Sequence, residues 1–121
     1  MPTDESIEKG AATFEKLMGW KLDPKTLRDD FSRITIGNLF GDVWSRPGLA
    51  LRDRSLVTVA ALVVLGREQE LRLHLRGALR VGVTQEEIRE VILHLAHYGG
   101  WPVAAMATRV AEEVFREAAR E

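Results

Sequence analysis

The chain has 121 residues, of which 45% are hydrophobic, with a formal net charge of −1 and no cysteine. That is long and apolar enough for a core in one domain spanning residues 1–121, and too aliphatic for a disordered chain. The near-neutral charge argues against a nucleic-acid partner, no run of about 18 apolar residues suggests a membrane span, and disulfide exchange, which needs a thiolate, is excluded.

The opening MPTDESIEKG is acidic and polar, unlike a signal peptide, and the absence of cysteine fits a cytoplasmic setting. Thr3 or Asp4 can cap a first helix in which Ile7, Ala11, Phe14 and Met18 recur at helical spacing, with Gly19 ending it. Asp23-Pro24, a cap followed by proline at the first helical position, opens a second helix through Leu27, Phe31 and Ile34. Gly37, Gly41 and Pro47-Gly48 then break the pattern and leave NLFGDVWSRPG as a loop or short helical turns. From Asp53 the run SLVTVAALVVLG is apolar nearly all round. Its valines would allow a strand, but its length and surroundings favour a buried central helix.

After Gly66 a helix is expected from about Glu68 to Val81, stopped by Gly82. Thr84 and Glu87 form a capping box that starts a helix from about Gln85 to Tyr98. Gly99-Gly100-Trp101-Pro102 interrupts the chain, and the proline restarts it into a last helix through Ala105, Val110, Val114 and Phe115. The expected fold is all-α, a bundle of about six helices with short connections and no internal repeat.

Two of these helices can be laid out at about 100° per residue. On the first, Leu71, Leu75, Ala78 and Leu79 form an apolar stripe, Arg67, Glu70 and His74 follow one rim of it, and Arg72, Arg76 and Arg80 fall opposite. On the second, Ile88, Val91, Ile92, Leu95 and Ala96 form the stripe, edged by Glu87, Glu90, His94 and Tyr98, with His97 a little beyond. A histidine at such a rim suits acid–base work, because partial burial and a nearby carboxylate move its pKa across neutrality. It can equally hydrogen-bond a backbone carbonyl and do nothing else. No strand precedes a phosphate-binding glycine loop, Ser45 and Ser55 have no triad context, and His94 with His97 lacks a clear third metal ligand, so no metal site is expected.

The segments LRDRSLVTVAAL, ELRLHLRGAL, GVTQEEIREVILHLAHYGGWPVAA and FGDVW resemble the gamma-carboxymuconolactone decarboxylase family, over about two thirds of the chain. Relatives in the alkyl hydroperoxidase D-like branch share the helical fold and relay protons through a glutamate, two cysteines and a histidine. Aligned on His74, that pattern puts Ser55 at the glutamate and Arg67 and Glu70 at the cysteines. Only the histidine is retained, which favours the decarboxylase branch.

The resemblance implies a homo-oligomer, trimer or hexamer, with its site near subunit interfaces. It also implies decarboxylation of 4-carboxymuconolactone to 3-oxoadipate enol-lactone in protocatechuate catabolism, without a cofactor. The small lactone carboxylate carries its own electron sink. The expected site uses His74 as main acid/base, Glu70 to orient it, and His94 and Tyr98 as further proton or hydrogen-bond donors. Arg54 and Arg52 are candidates to clamp the substrate carboxylates, and Trp44 and Trp101 to wall the pocket. Arginines at helix starts are more often solvated, and such tryptophans more often core or interface. Two other readings stay open: a non-catalytic helical oligomer or binding module of the same fold, and a lyase or isomerase on a related lactone.

Overall fold

The computed structural model describes residues 1–121, and every regular element in it is a helix. The chain divides into two compact units, Met1–Leu51 and Arg52–Glu121.

In the first unit, α1 (Asp4–Met18) is capped by the Thr3 side chain, which accepts from the Ser6 amide, and closed by Gly19 in the left-handed region. The second helix expected from Asp23-Pro24 is not continuous. Asp23 caps only a 3-10 turn, Pro24–Thr26, after which Leu27 is extended. Asp29 supplies a fresh cap for α2 (Asp30–Ile34) by accepting from the Ser32 amide and hydroxyl. A local hydrogen bond that competes with the helix ladder decides this, and hydrophobic spacing does not encode it.

The expected loop after Ile34 is a π-helix, Thr35–Val43, running straight on from α2. Its glycines are contact points rather than breakers. A Cβ on Gly10 would lie 1.8 Å from the Ile36 carbonyl oxygen, one on Gly37 would lie 2.4 Å from Pro2 Cβ, and one on Gly41 would lie 2.2 Å from the Ser6 carbonyl oxygen. At Gly10 and Gly41 backbone therefore meets backbone between α1 and the π-helix, while Gly37 lies against the Pro2 ring, over a core that includes Ile7, Ala11, Leu17, Ile36 and Phe40.

The second unit holds four longer helices: α3 (Leu51–Leu65), α4 (Glu68–Arg80), α5 (Gln85–Gly99) and α6 (Trp101–Ala119). Their core joins Val59 and Val63 to Leu71, Leu75, Ala78, Ile88, Ile92, Ala107, Val110, Val114 and Phe115. Both arms of the capping box at Thr84 are made. Across α4 and α6, Arg72 bonds Glu113 at 2.6 Å, Arg76 bonds Glu117 at 2.8 Å, and Arg109 bonds Glu68 at 2.8 Å. The opposite-rim arginines of α4 are thus partly spent on fastening α6.

The expectation of a buried central helix is corrected for α3. Only Ser55, Val59 and Val63 on it are buried, while Leu65 is 65% exposed and Val57 and Val64 are also open. Apolarity all round records what a helix can bury against, not what this chain supplies.

Candidate functional site

His74 sits halfway along α4, beside the buried stripe of Leu71, Leu75 and Ala78. It is half-buried with its Nδ1 shielded from solvent, and desolvation holds its pKa below the ordinary 6.5. The ring is therefore neutral at neutral pH. Glu70, one turn earlier, is exposed and makes no hydrogen bond or ion pair, so the carboxylate–imidazole pair anticipated from the spacing is not formed.

The start of α3 carries Arg52, Arg54 and Ser55. Arg52 is committed: its guanidinium bonds Glu87 at the start of α5 and reaches Asp53 at 3.4 Å. Glu87 closes the capping box in the same position. The Thr84 backbone amide, followed by the Arg52 guanidinium, lowers its carboxyl pKa to about 2. The Arg52 pKa is raised, chiefly by the Glu87 hydrogen bond. As a substrate clamp Arg52 would first have to break this bridge. Arg54 is half-buried with its Nε shielded, and Ser55 is 0% exposed.

On α5, His94 and Tyr98 are exposed and stack with ring centroids 5.0 Å apart and an angle of 29° between planes. His97 Nδ1 lies 3.1 Å from the Leu93 carbonyl oxygen and meets Trp101 edge-on at 5.5 Å. His94, His97 and Glu90 line an open groove of about 640 Å³ with Ala60, Val91 and Leu93. His74 does not line that groove, nor does any arginine, so the two histidine columns are not brought together there. Trp101, 62% exposed, edges a neighbouring hollow of about 460 Å³. Trp44 belongs to the first unit, where it is 8% exposed and stacks on Phe40 at 5.6 Å. No three His, Asp or Glu side chains converge as metal ligands.

Two features escaped sequence reasoning. Glu87 was visible as a cap but not as the partner of Arg52, a contact 35 residues away in the chain. Ser55 was visible as a hydroxyl without a triad and as the residue at the relay-glutamate position, but not as a buried group without a bond.

The fold and these groups define a thiol-free, all-α protein whose candidate site offers imidazole, carboxylate and phenol groups beside fixed guanidinium charges. Residues 29–113 match the carboxymuconolactone decarboxylase family, and the chain belongs to it. It is 40% identical to the 4-carboxymuconolactone decarboxylase of Acinetobacter baylyi, over 97% of this chain and 92% of that protein. It is 42% identical to the nitrosuccinic acid decarboxylase of Metarhizium robertsii, over 64% of this chain and 54% of the relative. An uncharacterized 15.0 kDa protein of Paracoccus denitrificans is 38% identical over 64% of this chain and 60% of its own length.

Proposed function

We propose that the chain is a carboxy-lyase that converts 4-carboxymuconolactone to 3-oxoadipate enol-lactone. The observation that carries this reading is the 40% identity to a decarboxylase of that substrate, over nearly the full length of both chains. The chemistry is compatible with the groups present. As carbon dioxide leaves, its bonding electrons pass through the ring double bond to the lactone carbonyl, and the resulting dienolate takes a proton at the ring carbon beside that carbonyl. The protein must hold two carboxylates, stabilise the oxyanion and deliver one proton.

His74 is the proposed proton carrier. Its neutral ring in the free chain gains proton affinity when a dianionic substrate lies beside it, so binding takes up the proton that later reaches carbon. Arg54, half-buried at the start of α3, is the proposed carboxylate clamp. His94 and Tyr98 are second donors, Trp101 a pocket wall, and Glu70 serves only if the loaded site draws it to His74. The reading puts the reaction in the cytoplasm, within protocatechuate catabolism. It treats residues 1–121 as one functional domain, because the family match runs across the division at Leu51.

A homo-oligomer, trimer or hexamer, belongs to the same proposal. It is supported by the apolar side chains that α3 and α5 leave open, Val57, Leu65 and Leu93 among them. The likeness to a nitrosuccinic acid decarboxylase favours a second reading, a different small carboxylate as substrate. Purified protein mixed with 4-carboxymuconolactone is expected to release carbon dioxide and form the enol-lactone without an added cofactor. No turnover on this lactone, with turnover on another carboxylate, would move the assignment to the second reading.

A further inference from the structure

Every serine and threonine hydroxyl inside the helices other than that of Ser55 has a partner, and those of Ser6 and Ser32 donate to the Asp42 and Asp29 carboxylates. Thr13, Thr35, Thr58 and Thr108 each donate to the carbonyl four residues earlier, at 3.1, 2.7, 2.8 and 2.8 Å, and Ser45 does the same to Gly41. That is the ordinary way for a hydroxyl inside a helix to satisfy itself. Ser55 departs from it. Its residue is 0% exposed, and its Oγ has no hydrogen-bond partner, not even the carbonyl of Leu51 one turn back.

An alanine would serve the fold better at this place. Ser55 lies on the buried stripe it shares with Val59 and Val63, where an unsatisfied hydroxyl is a cost and adds no packing that a methyl would not. Its neighbours along the helix are Arg54 and, one turn earlier, Arg52, whose bridge to Glu87 ties the start of α3 to the start of α5. A hydroxyl kept unbonded and dry, on the same turn as the proposed carboxylate clamp, is in the condition in which a donor acts most strongly on developing charge.

We propose that Ser55 is a catalytic hydrogen-bond donor, reserved for the lactone oxygen that gains charge as carbon dioxide departs. This rests on the decarboxylase reading above. The substrate reaches the hydroxyl by displacing the side chains that cover it, and the Oγ–H then makes the bond it lacks in the free chain. No bond to Ser55 is formed or broken in the reaction, and its proton stays on the hydroxyl.

The test compares wild type, Ser55→Ala and Thr58→Ala for thermal midpoint, kcat and KM on 4-carboxymuconolactone. Ser55→Ala is expected to keep the midpoint or raise it by about 3 °C, and to lose about 10²-fold in kcat with KM within about twofold. Thr58→Ala, which removes a hydroxyl bonded to its own helix, is expected to keep kcat. Retained kcat in Ser55→Ala would overturn the proposal, whatever KM does. So would a lowered midpoint, which would mean a structural partner for the hydroxyl, or an equal kcat loss in Thr58→Ala. A wild type without turnover removes the decarboxylase reading and this proposal with it, whereas an active wild type beside an unimpaired Ser55→Ala removes Ser55 alone.

Discussion

His74 illustrates how one half-buried ring links stability to pH. Its pKa lies below 6.5 in the folded chain because burial penalises the imidazolium, and it returns to the ordinary value on unfolding. Between those two values the unfolded chain holds more protons, so stability falls as pH drops below about 6.5 and levels off once the folded ring also titrates. His74→Gln is expected to flatten that part of a urea-midpoint profile against pH, and an unchanged profile would show that the ring is not desolvated. Glu87 works in the opposite region. Its carboxyl, lowered to about 2, contributes stability above the ordinary 4.5 that is lost as pH falls toward 2. The proposed proton uptake at His74 gives a separate readout. Calorimetric titration with a non-reacting dicarboxylate analogue, in buffers of different ionisation enthalpy, should report net proton binding near neutral pH, and His74→Ala should abolish it together with about 10²–10⁴-fold of kcat.

Among the elements, α5 is the one whose start was most legible, because a capping box is a local device written within four residues. Thr84→Ala is expected to cost about 1 kcal/mol in denaturant unfolding, with the Arg52–Glu87 bridge weakened alongside. The π-helix was the least legible element. Gly37 and Gly41 carry the same letters as turn glycines, and nothing local says that the Pro2 side chain will press on the first and the α1 backbone on the second. At Gly10 the added methyl of Gly10→Ala would run into the Ile36 carbonyl, an obstacle that cannot swing aside. We expect a loss of about 3 kcal/mol, and full retention of stability would mean that α1 can slide. The split of the second predicted helix has a local cause instead: Asp29 caps afresh by accepting from the Ser32 amide and hydroxyl, a device that hydrophobic spacing does not record.

At the scale of the whole molecule, the exposed apolar side chains of α3 and α5 set the expectation for assembly. Leu93, which lines the α5 groove, is 56% exposed. Leu93→Asp is expected to shift the light-scattering mass to a smaller species while far-ultraviolet circular dichroism stays helical, and an unchanged mass would place the subunit contact elsewhere. What the letters alone settled about this protein is local or compositional: six α-helices, most of their caps, the stripes of α4 and α5, the absence of thiol chemistry, and a family resemblance carried by contiguous motifs. Those follow from interactions between residues a few positions apart. Only the tertiary structure decided that Arg52 answers Glu87, that Glu70 leaves His74 alone, that three glycines are contact surfaces, that one face of α3 stays open, and that the Ser55 hydroxyl is sealed without a bond. Burial and pairing are properties of what arrives from far along the chain, and a periodic pattern states only which face is available to receive it.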